Sequence, residues 1–165
     1  MPIMFRRAEV DDWQMCRDIR LRALREEPQA YASTLEWELQ LSDQEWRDRL
    51  GRATTILALT NGELIGTATG LWQPDGDMMI VAMYVVPEAR GNGYAARLID
   101  EIARVAMAQG GRRLVLDLAE GNTVAERCYR KYGFVPTGKR LPMERNPSIM
   151  ERRFAYRLGT DNADG

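Results

Sequence analysis

The sequence predicts an α+β fold built on one mixed sheet, antiparallel in its first half, and three stretches carry that expectation. Thr54–Thr60 and Glu63–Trp72 are strand-like runs joined by Asn61-Gly62, a dipeptide that supplies the positive φ angles of a tight hairpin turn. Residues 78–86 form an apolar run with β-branched and aromatic members, as in a strand buried on both faces. Beyond it, Ala95, Leu98, Ile99, Ile102, Val105 and Ala106 keep helical spacing until Gly110-Gly111, and residues 114–118 read as another buried strand. A strand, helix, strand unit of this kind makes a parallel pair through a right-handed crossover, so the sheet turns from antiparallel to mixed.

The remaining elements follow in order. Residues 3–8 read as a short strand, followed by a helix from about Asp12 to Arg25 with Trp13, Cys16, Ile19 or Arg20, Ala23 and Leu24 near helical spacing. Asp11 with Gln14 resembles a capping pair at its start. Pro28 breaks the helix, a less regular stretch runs to Leu41, and Ser42 with Glu45 forms a capping box before residues 46–50, making a helical arm of two or three pieces. Pro74-Asp75-Gly76-Asp77 is the turn that brings residues 78–86 beside the hairpin. Asn122 opens a helix with Val124, Ala125, Cys128, Tyr129 and Tyr132 on one face and Gly133 as its stop. Residues 134–137 begin a strand, a Pro- and charge-rich excursion occupies residues 139–150, and residues 152–158 form the last strand. With no repeat, low-complexity tract or linker, the expected organisation is a single domain over residues 1–159 and a frayed tail over 160–165.

Composition narrows the chemistry. A chain of 165 residues can bury roughly 70% of the surface its unfolded form exposes. Its 23 basic and 24 acidic residues leave a formal charge of −1, so no overall field draws it to nucleic acid or anionic lipid. No apolar run approaches the ~20 residues of a membrane helix, and the first seven residues lack a signal-peptide pattern, so a cytoplasmic location is expected. The sequence contains no histidine, which excludes Ser-His-Asp and Cys-His nucleophilic sites. Cys16 and Cys128, its two cysteines, are too few to build a Cys/His zinc site, and no metal is expected. Acid and base work falls to Tyr, Glu, Asp, Lys, Cys or water.

The turn between the buried strand and the clearest helix, Arg90, Gly91, Asn92, Gly93, Tyr94 and Ala95, suits a diphosphate. Unpaired N–H groups and the positive dipole end at a helix start attract phosphate, two glycines let a ligand approach the backbone, and Arg90 adds charge. The same letters satisfy the dinucleotide fingerprint G-x-G-x-x-A over residues 91–96, with Asp117 available as a ribose ligand. That fingerprint expects its first glycine at the strand end, whereas Pro87-Glu88-Ala89-Arg90 intervene here. A nucleotide oxidoreductase is therefore the remote alternative.

The segment Tyr84-Val85-Val86-Pro87-Glu88-Ala89-Arg90-Gly91-Asn92-Gly93-Tyr94-Ala95 resembles the acetyl-CoA signature of the Gcn5-related N-acetyltransferase superfamily, [Q/R]-x-x-G-x-[G/A] after a strand ending in Pro-Glu. A second pattern of that superfamily, N-x-x-A-x-x-x-Y-x-x-x-G-F, appears as Asn122, Ala125, Tyr129, Gly133 and Phe134. The resemblance implies a mixed, mostly antiparallel sheet of about seven strands flanked by about four helices and splayed at the cofactor site, between residues 78–86 and 114–118. It implies acetyl-CoA as cosubstrate and acetyl transfer to a primary amine of a small molecule, by direct attack through a tetrahedral intermediate. The backbones of Val85 and Val86 resemble the positions that pair with pantetheine, residues 90–95 those that cradle pyrophosphate, Asn122 one that contacts the cofactor, and Tyr129 the one facing its sulfur. Each also has a structural role open to it: core strand for the valines, helix N-cap for Asn122, core packing for Tyr129.

In this scheme backbone N–H groups beside Val85 or Val86 stabilise the oxyanion, and Tyr129, with a phenol pKa near ~10, donates the proton to the departing thiolate. Glu36, Glu38, Tyr84, Glu120 and water remain open as general base. The acceptor site is expected between residues 31–41 and residues 139–150, which carry Trp37, Arg140, Glu144 and Arg145. A homodimer is a further partner that the resemblance allows. An acyl-CoA-binding sensor of the same fold is the competing function from another class.

Overall fold

A computed structural model describes residues 2–159; the expected tail at 160–165 lies outside the described residues. Seven strands form one sheet: β1 (Met4–Arg7), β2 (Thr54–Thr60), β3 (Glu63–Trp72), β4 (Met78–Val85), β5 (Arg113–Ala119), β6 (Val135–Met143) and β7 (Asn146–Arg157). The helices are α1 (Trp13–Glu26), α2 (Leu35–Glu38), α3 (Asp43–Arg52), α4 (Tyr94–Ala108) and α5 (Thr123–Tyr132). Strand order is β1-β2-β3-β4-β5-β7-β6, and β4 with β5 is the parallel pair. The expected mixed, mostly antiparallel sheet of seven strands is the observed one.

The hairpin between β2 and β3 turns at Asn61 and Gly62, whose φ values of 52° and 77° are those the dipeptide was selected to adopt. One face of the sheet receives α4, which seats Leu98, Ile99 and Ile102 against Ala68, Met78 and Ile80, all buried. Burying each of those three α4 side chains is worth ~1.5–3 kcal/mol, which makes this helix a main anchor of the fold. The approach is close: a Cβ at Gly70 would lie 2.7 Å from the Met78 sulfur and 3.1 Å from Ile102. On the same face α5 is tied to α4 by a 2.7 Å hydrogen bond from the Tyr132 hydroxyl to Asp100. The arm of α1, α2 and α3 covers the opposite face of the first four strands. Its members are cross-linked by Glu38, fully buried, which accepts hydrogen bonds from Arg20 on α1 and Arg49 on α3.

Four local expectations are corrected. The capping pair at the start of α1 is Glu9 with Asp12 rather than Asp11 with Gln14, because a turn over Val10–Asp12 precedes the helix. Arg6 holds the Asp12 carboxylate where it accepts the Glu9 N–H at 2.7 Å. Val124 is 79% exposed and Cys128 is exposed too, so the buried face of α5 is narrower than the one read from spacing. Residues 139–150 form no excursion; β6 and β7 continue through them as a long hairpin with Leu141 opposite Glu151 and Pro142 opposite Met150. Pro136 and Pro142 fit there because β6 is an outermost strand, where a missing N–H disrupts no inner ladder. Finally, β4 is only partly buried on its arm side, at Met79, Val81, Ala82 and Met83.

Candidate active site

The site is made by the parting of β4 from β5. The two strands pair only at Met78 with Leu114 and Met79 with Val115, then diverge. Divergence coincides with a bulge: β3 pairs Thr69 with Val81 but Thr67 with Tyr84, so β4 carries one extra residue. Ala82 absorbs it at φ 54°, a left-handed conformation that costs a non-glycine residue roughly 1–2 kcal/mol. The Tyr31 hydroxyl, reaching from the arm, donates to the Met83 carbonyl at 3.0 Å and braces the bulge.

Beyond the bulge, Val86 N–H donates to Ile65 O at 2.9 Å, so it serves the β3 ladder. Neighbouring residues of an antiparallel strand turn their polar groups to opposite sides, which aims those of Val85 toward the gap. The Val85 carbonyl accepts Arg90 Nε at 2.8 Å, leaving the Val85 N–H facing the opening. Arg90 also pairs with Glu27 at 3.0 Å; its side chain is thus committed to the strand and to the end of α1. Two further contacts, Arg22 with Glu88 at 3.0 Å and the Tyr84 hydroxyl with Glu26, tie the same end of α1 to β4 and its turn.

In the turn itself Gly91 and Gly93 adopt φ of 83° and 77°, and a Cβ on either would meet no atom within 4 Å. These glycines are required by conformation and face open space. Gly93 is the N-cap of α4 and has no side chain to cap it. Arg97 N–H is the first of the helix to find a partner, Gly93 O at 3.2 Å; no N–H from Gly91 to Ala96 bonds to a group of the described residues. These donors without a partner lie at the positive end of a 15-residue helix. Asn92 folds its side chain back, donating to Ala89 O at 3.0 Å, while Tyr94 packs against Phe5 and Ala95 against the core.

Across the gap, Asn122 is the N-cap of α5, its Oδ1 accepting the Ala125 N–H at 3.3 Å. Two turns further, Tyr129 is 8% exposed, edge-on to Phe134 at 5.8 Å between centroids. Its hydroxyl takes part in no hydrogen bond among the described residues. No sealed side-chain polar atom lacks a partner among them either, so the hydroxyl reaches accessible space. Burial raises the Tyr129 pKa above its ordinary value, with the charges of Cys128 and Tyr31 adding to the shift. The Tyr31 phenol is likewise pushed up to about 12 by burial.

Three of the four side chains left open as general base are engaged elsewhere. Glu38 is buried; burial raises its pKa, but Arg20 and Arg49 outweigh that and the net direction is downward. Tyr84 bonds Glu26, and Glu120 is held by Arg140. Glu36 lies in a cleft of about 360 Å³ that it shares with Ser33, Thr34, Trp37, Gln40 and Arg145. The arm and the β6–β7 hairpin tip thus meet around one opening. Asp117, the ribose ligand of the dinucleotide alternative, is bonded through both oxygens to Arg153 at 2.8 and 3.0 Å. The bulge, the Tyr31 brace and the Arg90 contacts left no sequence signal, since Ala82 is not a residue that announces positive φ.

The splayed β4–β5 pair, the uncapped glycine turn opening a long helix and the buried Tyr129 all lie in a stretch of the chain that matches a known family. Residues 13–134 match the Acetyltransferase (GNAT) family, and the chain belongs to it. Uncharacterised N-acetyltransferases of Mycobacterium bovis and Mycobacterium tuberculosis are 30% identical over 89 residues, 54% of this chain and 57% of theirs. The chain therefore spans just over half the length of these relatives. A GNAT-family acetyltransferase of Streptococcus pneumoniae superposes with a TM-score of 0.81 at 21% identity, covering 96% of this chain and all of the other. YncA of Salmonella typhimurium, solved with its cofactor acetyl-CoA, gives 0.77 at 16% identity over 96% and 95% of the two chains. PaiA N-acetyltransferase of Thermoplasma acidophilum, solved with coenzyme A, gives 0.74 at 16% over 94% and 100%.

Proposed function

We propose that this protein transfers an acetyl group from acetyl-CoA to a primary amine of a small molecule. The observation that carries the reading is the run of N–H groups from Gly91 to Ala96 without a partner among the described residues, at the start of the helix that follows the splayed strand β4. Acetyl-CoA supplies an activated thioester and a thiolate leaving group. Gly91 to Ala96 hold its pyrophosphate by backbone hydrogen bonds, with Gly93 offering clearance that a side chain would remove. The Val85 N–H, facing the gap, stabilises the negative charge that develops on the acetyl oxygen. The Tyr129 hydroxyl donates its proton to the leaving sulfur, and its raised pKa keeps that proton in place at neutral pH. Asn122 orders the start of α5 and so sets where Tyr129 points. With Glu38, Tyr84 and Glu120 engaged, Glu36 or water carries the amine proton away.

The activity is tested by free-thiol release from acetyl-CoA across a panel of primary amines, with NAD as a control ligand. Thiol release that depends on both acetyl-CoA and an amine supports the reading. Tight acetyl-CoA binding with no release for any amine would favour the sensor alternative.

A further inference from the structure

The arm encloses a second space, a cavity of about 340 Å³ on the opposite side of β2, β3 and β4 from α4. We infer that it receives the body of the acceptor amine and that this acceptor carries a carboxylate at its far end. The inference deepens the acetyltransferase reading and rests on it.

One end of the cavity is the bulge. Ala82, Tyr84 and Tyr31 line it, and Tyr31 is bonded to Met83 O, so this end adjoins the gap where the acetyl group is transferred. From there the row Val81, Thr69, Thr55 crosses three strands toward β2, a span of about 10 Å at the usual strand spacing. The walls along this row are apolar, including Ile19, Trp46 and Leu71, and they suit an aliphatic or aromatic body. The floor offers a donor. Thr55 and Thr69 hydroxyls lie 3.0 Å apart and share one hydrogen, which leaves the other hydroxyl a hydrogen to give.

The charge on the walls selects the far group. Arg20, Arg49 and Arg52 line the cavity, and no carboxylate does. Glu38 balances one charge from behind Arg20 and Arg49, and Asp48 approaches Arg52 only to 3.8 Å. The three guanidiniums line the cavity, whereas the carboxylates beside them, Glu38, Glu45 and Asp48, do not. Arg52 ends α3 where the chain enters β2, so an amine lying at the bulge would present its other end to it. A second ammonium there is repelled; a carboxylate is drawn in and accepts charge-assisted hydrogen bonds.

The test compares para-aminomethylbenzoate and para-aminoethylbenzoate with their carboxamides as acceptors, reading kcat/KM by thiol release and acetyl-CoA affinity by calorimetry. The carboxylates are expected to exceed their carboxamides by about tenfold, the gain of a charge-assisted contact. Arg52→Gln should bring the two members of each pair together. Thr69→Leu, which fills the cavity, should raise KM for every acceptor while acetyl-CoA affinity holds, and that retained affinity reports an intact fold. Equal turnover of carboxylates and carboxamides, or a Thr69→Leu variant with unchanged KM, overturns the inference and leaves the acetyltransferase reading standing. Failure of acetyl-CoA to bind the unmutated protein overturns both.

Discussion

Tyr129 combines a side chain packed in the core with a hydroxyl that has no partner among the described residues, a pairing that fits a group kept for a reaction. Tyr129→Phe keeps the ring and removes only the proton, so kcat should fall by ~10²–10⁴ while acetyl-CoA affinity is retained. Steady-state kinetics and calorimetry on the same preparation check both halves. The pH dependence has a definite sign. A phenol whose pKa is raised stays protonated above its ordinary value near ~10, so kcat should show no alkaline loss below about pH 10. A descending limb centred near pH 8 would remove Tyr129 from the role. At this scale the sequence was informative where a residue type is forced by the backbone, as for Gly93 at φ 77°. It was silent where a role is set by a distant partner: nothing in the spacing of Arg90 shows that Val85 O and Glu27 occupy its guanidinium.

Elements position these residues through a few contacts. The helix α4 starts in an uncapped turn, which leaves its first N–H groups to a ligand, and it is held instead by its buried face against β3 and β4. Gly93→Val therefore acts on the backbone and on the proposed site together: a β-branched residue at φ 77° is strained, and its side chain would enter the open space proposed for the pyrophosphate. Acetyl-CoA affinity should drop at least ~100-fold, read by calorimetry. The arm depends on a buried carboxylate. Glu38→Gln leaves Arg20 and Arg49 without their anion, and because both remain partly accessible the loss should sit at the lower end of the ~3–5 kcal/mol typical of broken buried pairs. Denaturant melts check it. Glu38 has a lowered pKa, so its contribution is present above the unfolded carboxylate pKa and fades as pH falls through the folded value. Hairpin, arm and α4 were legible because each has a local signature: Asn61-Gly62, Ser42 with Glu45, and helical spacing. The β6–β7 hairpin was not, because Pro142 and the charged residues of 139–150 read as a loop until β6 is known to lie at the sheet edge.

The whole molecule places two compartments on either side of one break in a sheet. Toward α4 and α5 lie the glycine turn and Tyr129; toward the arm lie the Tyr31 brace, the three-arginine cavity and the cleft shared with Arg145. The mixed sheet was readable from the order of turns and periodic segments, and the crossing point from the glycine turn. The amount by which β4 and β5 part was not, since it follows from one extra residue accommodated by Ala82. A ligand bridging the break binds only the folded chain, so acetyl-CoA at 100 times its Kd should add ~2.7 kcal/mol of stability. The central claim, that residues 91–96 hold a pyrophosphate-bearing acyl carrier, is tested most directly by calorimetric titration of the unmutated protein and Gly93→Val with acetyl-CoA and with NAD. One acetyl-CoA should bind per chain, that binding should be lost in Gly93→Val, and NAD should give no heat. Binding of NAD without acetyl-CoA, or acetyl-CoA affinity unchanged by Gly93→Val, would contradict it.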